Sequence, residues 1–389
     1  MLRDRFIEES PFFTEEHARL ATSVANFAAD EIEPHAHKEE AASDENFRSL
    51  VALLAQTGLL NYSVARPDGL PLDARSLCVV REALSYYSPL ADLAFVMQGL
   101  GTYAVSLAAP EHVRDFWLER ARNGRAVAAF ALTEPEAGSD VSNIQTAAER
   151  EGDSYVIRGR KCFISNAGVA DFYTVFARTG TRTDGRAELS AFVVGARMPG
   201  FRVNARTPLV APHPIGEIEF DGVRVPAEDR VGAEGDGFRL AMKTMDMFRA
   251  SVGAAACGMA RRALDESVGH AKARRQFGVS LAMHQLVQEK LATMQTELDA
   301  ARLLVYRAAH LRDARPEGSN LTRAASEAKL YATEAAQRVV DEAVQIHGGY
   351  GLVRGSTVER LYRDVRALRI YEGTSEIQKL VIARELLKE

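Results

Sequence analysis

A glutamate between a tyrosine and a glycine lies at the junction of two predicted helices near the end of the sequence. Residues 359–368 have a mixed helical pattern, and Thr374 is a suitable N-cap for a second helix. Glu372 therefore occupies a short hinge, where Gly373 lets the backbone approach a ligand closely. A carboxylate held there against an apolar wall is a candidate general base, because burial raises its pKa. A solvated loop glutamate is the alternative for so short a motif.

Two strings in the first half of the chain contain residues that suit contact with a bound molecule. The string FALTEPEAGSD at 130–140 predicts a strand that runs into a tight turn. In that turn Gly138 and Ser139 can present backbone N–H groups to an acceptor. In KCFISNA at 161–167, the Phe163 ring can stack and the Ser165 hydroxyl can donate a hydrogen bond. Taken singly, these strings are better explained by a β-turn and by a core strand.

Charged side chains on predicted helices form a third group of candidates. Arg274 and Arg275 end a helix, and guanidinium groups suit bidentate contact with phosphate. Solvation, or interaction with the negative end of the helix dipole, is the alternative. Asp246 and Arg249 stand at i and i+3 on one helix, where they can form an ion pair that stabilises little if exposed.

Together and in this order, the strings resemble the motifs of the acyl-CoA dehydrogenase family of FAD-dependent flavoproteins. The resemblance covers nearly the whole chain and includes RDVRALRIYEGTSEIQ at 363–378 and RRQFG at 274–278. It implies dehydrogenation of an acyl-CoA thioester to the trans-2-enoyl-CoA. Glu372 would remove the α-proton while a hydride leaves the β-carbon for flavin N5. Some family members place the base at the position of Phe248, and a phenyl group there favours Glu372.

The resemblance also implies roles for three sets of residues, and no metal ligands. The first set contacts the flavin, its phosphates or both: Phe130, Leu132, Thr133, Gly138, Ser139, Phe163 and Ser165. The second set completes the FAD site, in part from a neighbouring subunit: Arg274, Phe277, Gln285, Gln345, Gly348, Gly349, Thr374 and Glu376. The third set contacts the substrate: Ser139, Asp246, Arg249 and Tyr371. His347 has the sequence context of a structural histidine.

This chain departs from the family pattern at two places. The family usually has tryptophan and threonine where this chain has Phe163 and Ser165, a change that affects the tuning of the flavin rather than its presence. Residues 207–216 contain three prolines and form a stiff loop of unknown contacts. An unusual acyl group or carrier is one explanation for that loop.

The resemblance implies partners as well as a cofactor. Shared FAD sites require an oligomer, and the family is typically a homotetramer built as a dimer of dimers. Electrons would pass to an electron-transferring flavoprotein. Met97, Gln98 and Gly101 lie on the helix that lines the acyl pocket in the family and are candidates for setting acyl length, with core packing as the alternative.

Three predicted domains position these residues, which makes the fold class α+β. Helical periodicity predicts an all-α domain at 1–126 and strand alternation predicts an antiparallel β-domain at 127–233. A helical-bundle domain follows at 234–389. Long helices are predicted at 238–275, 282–312 and 321–346, and strands at 154–158, 161–165, 172–177, 189–194 and 218–220. The last helix is expected to have an apolar side formed by Ile377, Leu380 and Val381.

Composition excludes some classes of function. A net charge of −5 and a pI near 6.1 give no electrostatic basis for binding nucleic acid. The three cysteines have no CxxC spacing, which favours reduced thiols over disulfides or a metal site. Neither a targeting peptide, a peroxisomal tripeptide nor a membrane-spanning run is expected. A cytoplasmic enzyme is the resulting prediction.

Three alternatives stay open. The enzyme could act on an acyl group bound to a carrier protein, or it could be an acyl-CoA oxidase of similar fold that uses oxygen. A non-catalytic binding protein of the same fold is the remaining alternative, and Glu372, Thr133 and Arg274 argue against it. Acyl-chain length, branching and aromaticity do not follow from the sequence.

Overall fold

The computed structural model describes residues 4–36, 44–183, 185–316, 318 and 320–388. Helices occupy both ends of the chain. In chain order they are α1 Arg5–Glu9, α2 Glu15–Phe27, α3 Glu33–Ala36, α4 Asp44–Gln56, α5 Ala74–Tyr87, α6 Pro89–Ala108, α7 Glu111–Arg122, α8 Gly237–Ala273, α9 Gln285–Ala314, α10 Leu321–His347, α11 Thr357–Leu368 and α12 Ser375–Leu386. The three predicted long helices correspond to α8, α9 and α10 and differ from them by a few residues at their ends.

Strands occupy the middle of the chain. They are β1 Ala128–Ala131, β2 Ala147–Glu151, β3 Ser154–Ser165, β4 Phe172–Thr181, β5 Ala187–Gly195, β6 Phe201–Arg206, β7 Ile215–Pro226, β8 Arg230–Val231, β9 Arg275–Gln276 and β10 Val279–Ser280. The main sheet has the order β6-β7-β3-β2-β4-β5-β8, with β1 paired to β4. Its neighbours are antiparallel except where β1 and β2 meet β4 in parallel. The α+β architecture predicted from the sequence is confirmed.

The chain divides into two compact units. Unit 1 consists of Met1–Glu40, Asp73–Asp92 and Phe248–Glu389, and unit 2 consists of Ala41–Leu72 and Leu93–Met247. In unit 1, α10 packs against α9, α11 and α12, and α5 packs against α2 and α9. In unit 2 a hydrophobic core includes Phe172, Phe176 and Leu240. The three predicted domain boundaries stay a prediction.

Strand β3 differs from the sequence prediction because two expected strands form one. Its pairing with β7 shifts register between Ile157 and Arg158 and again between Lys161 and Ile164. Phe163 lies in the second irregularity with a left-handed φ of 51°. A β-bulge bends its strand and re-aims side chains, so the ring leaves the core and is 59% exposed. Strands β2 and β6 were not predicted from the sequence. Strand β6 lies at the sheet edge, and its residues are mostly exposed and therefore lack strong alternation.

Helix α12 buries only part of the side predicted for it, because Ile377 and Val381 are half-buried. Leu380 is 66% exposed, whereas Ser375 and Gln378 are buried. Polar partners explain the difference, because both buried side chains form hydrogen bonds near the start of this helix. Helix α6 is long and apolar enough to cross a membrane by length and composition, but 78% of its apolar window is buried inside the protein.

Candidate active site

The hinge between α11 and α12 holds a glutamate in a strained backbone conformation. Glu372 has φ 53° and Gly373 has φ 88°, so two successive residues are left-handed. A non-glycine residue in such a region costs about 1–3 kcal/mol and persists only where its surroundings fix it. Gln378 supplies part of that support, because its Nε2 donates to the carbonyl oxygens of Glu372 at 3.1 Å and Gly373 at 3.0 Å.

The residues that follow the glutamate anchor the start of α12. Thr374 Oγ1 accepts a hydrogen bond from Ile377 N at 3.3 Å, which confirms the predicted N-cap. Ser375 Oγ donates to Glu334 Oε1 at 2.5 Å, and Glu334 also pairs with Arg369 at 2.9 Å. These contacts bind both ends of the hinge to α10. The backbone on both sides of Glu372 is thus held in one position.

The carboxyl group of Glu372 lies buried and close enough to several charged groups to be influenced by them. Its Oε2 atom is buried and has no hydrogen-bond partner among the described residues. Burial raises the pKa of Glu372, while the charges of Arg81, Lys329 and Arg249 oppose that rise. A buried carboxyl with a raised pKa and an unused oxygen can accept a proton from a bound molecule. A general base requires these properties, and the catalytic role of Glu372 stays a prediction.

A buried ion pair belongs to the same region of unit 1. Arg81 Nε and Nη2 donate to Asp92 at 2.8 and 2.7 Å, and Arg81 Nη1 donates to Ser251 Oγ at 2.9 Å. Although burial disfavours its charge, pairing with Asp92 raises the pKa of Arg81. The guanidinium therefore stays charged and acts on both Tyr371 and Glu372. This pair was not predicted from the sequence, although Asp92 in the first turn of the largely apolar α6 indicates a buried charge that needs a partner.

Unit 2 brings the two predicted flavin strings together. Cys162 N donates to Thr133 O at 3.1 Å. Lys161 Nζ donates to Leu132 O at 2.9 Å and to Glu134 Oε1 at 2.7 Å, and both charged side chains are buried. Burial lowers the pKa of Lys161 to about 8, against the attraction of Glu134. This ion pair fixes the turn after β1 onto β3. No role was predicted for the Lys161–Glu134 pair from the sequence.

The exposed side of these strings fits a flavin. Phe163 presents a largely exposed ring, which suits stacking with a planar heterocycle. A Cβ added at Gly138 would meet no atom within 4 Å, so the backbone there is open to a ligand. Ser165, two residues further on, carries a hydroxyl. An aromatic face, a hydroxyl and an open backbone are chemically suited to an isoalloxazine and its ribityl chain.

The proline-rich loop at 207–216 contacts the same strand. Ser165 Oγ and His213 Nε2 are hydrogen-bonded at 2.7 Å, and Asn166 N donates to Pro214 O at 2.5 Å. Burial lowers the pKa of His213 to about 4, so its imidazole is neutral at physiological pH. The loop therefore supports the Ser165 hydroxyl.

Phe130 and Leu132, which were predicted to contact the flavin, pack against the core of unit 2.

A cavity of about 450 Å³ in unit 1 is lined by three of the eight residues of the second predicted set. Arg274, His347, Gly348 and Gly349 line it, and the Arg274 guanidinium lies 5.8 Å from the centre of the Tyr350 ring. His347 Nδ1 is hydrogen-bonded to Ala343 O at 2.8 Å. That backbone contact agrees with a structural role for His347. Arginine and open glycine backbone are chemically suited to phosphate.

The other predicted cofactor residues lie on the surface of unit 1. Phe277 is 94% exposed with a left-handed φ of 51°, and Gln285, Gln345 and Glu376 are exposed as well. The Phe277 ring contacts His284 edge-on, with 6.0 Å between the ring centres. Their assignment to a cofactor stays a prediction.

The predicted substrate residues have different environments. Tyr371 faces the Arg81–Asp92 pair, and burial raises the pKa of its hydroxyl. Arg249 is buried on α8, whereas Asp246 is only partly buried. Ser139 is exposed on the turn after β1. Phe248 is fully buried on α8. Because its side chain has no carboxyl group, it is no alternative to Glu372 as the base.

Two residues proposed to set acyl length have packing roles instead. The Gln98 amide donates to Ala121 O and Ala126 O and accepts from Ala128 N, so its polar atoms are used within unit 2. A Cβ added at Gly101 would lie 2.6 Å from Ala128 Cβ. Gly101 therefore allows α6 to approach β1 closely.

Comparison with known proteins adds information on the whole chain. The family models for the N-terminal, middle and C-terminal domains of acyl-CoA dehydrogenases match residues 14–125, 129–223 and 235–387. Each of the three models falls on a different region described above, and none overlaps another.

Individual relatives match over nearly their full length. Cyclohexane-1-carbonyl-CoA dehydrogenase of Geobacter metallireducens is 37% identical over 97% of this chain and 99% of its own. Subunit CarC of the caffeyl-CoA reductase-Etf complex of Acetobacterium woodii is 35% identical over 97% of this chain and 100% of its own. The structure of butyryl-CoA dehydrogenase from Megasphaera elsdenii matches with a TM-score of 0.88, 32% identity and coverage of 96% and 99%.

Proposed function

The chain belongs to the acyl-CoA dehydrogenase family of FAD-dependent oxidoreductases, and we propose that it removes the α- and β-hydrogens of an acyl-CoA thioester to give the trans-2-enoyl-CoA. The observation that carries this proposal is the Glu372 carboxyl group. It has a buried oxygen without a hydrogen-bond partner among the described residues, and burial raises its pKa. Glu372 Oε2 takes the α-proton of the substrate.

The α-proton of a thioester is weakly acidic, so a base alone does not suffice. Hydrogen-bond donors that face the developing enolate oxygen are typically worth about 3 kcal/mol each. The backbone N–H of Glu372 has no partner within the described part of the chain, which leaves it available as such a donor. The fixed hinge then keeps donor and base in one geometry.

FAD supplies the acceptor for the hydride that leaves the β-carbon. The residues proposed to hold its ring system are Thr133, Phe163 and Ser165, with the open backbone at Gly138. Arg274 and the Gly348–Gly349 backbone are proposed to bind the pyrophosphate of a neighbouring subunit's FAD. Tyr371 and Arg249 are proposed substrate contacts near the base.

A shared cofactor site requires an oligomer, and we propose the homotetramer typical of the family. Several large apolar side chains of unit 1 are exposed, and they include Phe277, Met283, Leu286, Leu352 and Leu380. Exposed apolar groups of this size mark surfaces that contact another protein. Assembly would cover them. A cytoplasmic location is proposed on the basis of three buried free cysteines.

An electron-transferring flavoprotein is the proposed electron acceptor. The relative CarC is named as part of a complex with such a flavoprotein, which supports this class of partner. Its name also describes a reductase, so the reverse reaction on an enoyl-CoA is the second direction to test. Rapid peroxide release during aerobic turnover would instead identify an oxidase.

Anaerobic bleaching of the bound flavin by a panel of acyl-CoA esters tests the proposal. The panel contains linear, branched, alicyclic and arylpropanoyl esters, each offered also as a pantetheine thioester and on a carrier protein. Bleaching by at least one CoA ester is expected. Bleaching by carrier-bound acyl groups alone would establish the carrier alternative, and protein that fails to take up FAD would establish a non-catalytic function.

A further inference from the structure

A lysine from α10 is bonded to the hinge that carries the base. Lys329 has no exposed surface, and its Nζ donates to the carbonyl oxygen of Gly373 at 2.7 Å. No second hydrogen bond or ion pair reaches this ammonium group within the described residues. A buried cation with a single neutral acceptor is unfavourable unless nearby negative charge compensates it. Its position therefore requires an explanation.

The carbonyl group that Lys329 contacts is part of the strained backbone. Glu372 and Gly373 both have left-handed φ values, and Gly373 O receives donors from two different helices, Lys329 on α10 and Gln378 on α12. A strained conformation persists only when several contacts determine it together. Lys329 is the charged one of these two donors.

The negative charge that compensates Lys329 comes from the base itself. Burial lowers the pKa of Lys329 to about 8, and Glu372 is the strongest influence in the opposite direction. Reciprocally, Lys329 is one of the cations that oppose the burial-induced rise in the pKa of Glu372. The two groups are linked by electrostatics although the lysine bonds to the backbone rather than to the carboxylate.

We propose that Lys329 is a positioning residue for the reaction: its ammonium group holds the Glu372–Gly373 turn in shape and keeps a positive charge beside the base. This inference rests on the proposed role of Glu372. It assigns the lysine two separable effects, a hydrogen bond that fixes geometry and a charge that favours the ionised carboxylate.

Other charged groups also act on Glu372 and Lys329, and they contribute to the pKa of each. Arg81 on α5, Asp92 on α6 and Arg249 on α8 act on Glu372. Arg249 also acts on Lys329, as do Glu334 on α10 and Glu376 on α12. Removal of the lysine leaves Arg81 and Arg249 as the remaining cations near the base. The expected change is therefore a shift in the pKa of Glu372, whose ionised form is still reached at higher pH.

Two variants separate the effects. Lys329→Met keeps most of the apolar stem of the side chain but removes the charge and the donor, whereas Lys329→Gln removes the charge and keeps an amide donor. Lys290→Met is the control, because Lys290 forms an ion pair with Glu342 away from the hinge. Each holoenzyme is first checked by thermal melting and FAD content, so that a misfolded variant is recognised.

The first readout is the pH dependence of anaerobic flavin bleaching by an acyl-CoA ester. An opposite charge a few ångströms away lowers a carboxyl pKa by about 1–3 units. Loss of the charge should therefore move the midpoint upward by about one pH unit in both Lys329 variants. The plateau at high pH should be lower in Lys329→Met than in Lys329→Gln, because only the latter retains a donor for Gly373 O.

The second readout does not depend on turnover. Infrared difference spectra of the carboxyl C=O band, with Glu372→Gln as the reference, give the titration of Glu372 directly. The same upward shift is expected in both Lys329 variants and not in Lys290→Met. Folded Lys329 variants with unshifted bleaching and infrared titrations would overturn the inference. Full bleaching by Glu372→Gln would instead overturn the proposed function, so the two failures are distinguishable.

Discussion

Gln378 Nε2 lies 3.1 Å from the carbonyl oxygen of Glu372 and donates a hydrogen bond to it. A side chain from the first turns of α12 thus supports the backbone of the residue that precedes this helix. Because Gln378 is fully buried, solvent does not compete for this bond. The proposed base is held by its main chain, which leaves its carboxyl oxygen free for a substrate.

Replacement of the base should separate binding from chemistry. Glu372→Gln is expected to retain bound FAD and thioester affinity while flavin reduction falls by about 10²–10⁴-fold, the usual contribution of a general base. Stopped-flow absorbance under anaerobic conditions measures the rate. Glu16→Gln, at an exposed position of α2, is the control and should reduce its flavin normally. Undiminished bleaching in Glu372→Gln would disprove the assignment.

The same substitution should stabilise the protein in a pH-dependent way. Burial raises the pKa of Glu372 above its ordinary value of 4.5, so the ionised group disfavours the folded state. That cost is absent below the unfolded pKa, develops as the pH rises from the unfolded to the folded pKa, and is constant above the folded pKa. Glu372→Gln should therefore melt at a higher temperature than the wild type at pH 7. Melting curves should converge as the pH falls below about 4.5; an equal difference at all pH values would contradict this linkage.

Gly373 should not tolerate a side chain. A Cβ there would lie 2.5 Å from Gln378 Nε2, and the left-handed φ of 88° disfavours any other residue. Gly373→Ala should reduce the free energy of unfolding by about 2 kcal/mol and slow flavin reduction. Gly269→Ala is the matched control on α8, because a Cβ at Gly269 would meet no atom within 4 Å. It should be neutral or slightly stabilising in urea unfolding.

The buried pair in unit 2 should control FAD affinity. Lys161→Met leaves Glu134 buried without its cation, which typically costs about 3–5 kcal/mol. We expect weaker FAD binding by fluorescence titration and a lower urea midpoint. Lys161→Met combined with Glu134→Gln removes both charges and should recover much of the stability. Equal losses in the single and double variants would show that the pair is not the cause.

Adjacent arginines offer a test of the shared cofactor site. Arg274 lines the cavity in unit 1, whereas Arg275 donates to Gly278 O within its own hairpin. Arg274→Ala should reduce FAD affinity by about tenfold or more, since a charged hydrogen bond contributes about 1.5–3 kcal/mol. Arg275→Ala should retain FAD. Similar FAD content in both purified variants, measured by absorbance, would remove Arg274 from the proposed site.

Local sequence determined much of this protein. Helical and strand periodicity predicted the order of elements, and Thr374 with its following residues predicted the start of α12. The strings around Phe163 and Glu372 indicated the family, because a flavin and a base need particular residue types at fixed positions along the chain. These features depend on neighbours within a few residues.

Tertiary structure alone decided which charges surround the base. Arg81, Lys329 and Arg249 come from α5, α10 and α8, and no local pattern relates them to Glu372. Packing likewise buried Gln378 and left Leu380 exposed, the reverse of what their polarity suggests. The physical reason is that periodicity specifies the faces of one helix. The free energy of a buried charge depends on partners that only the folded chain brings within reach.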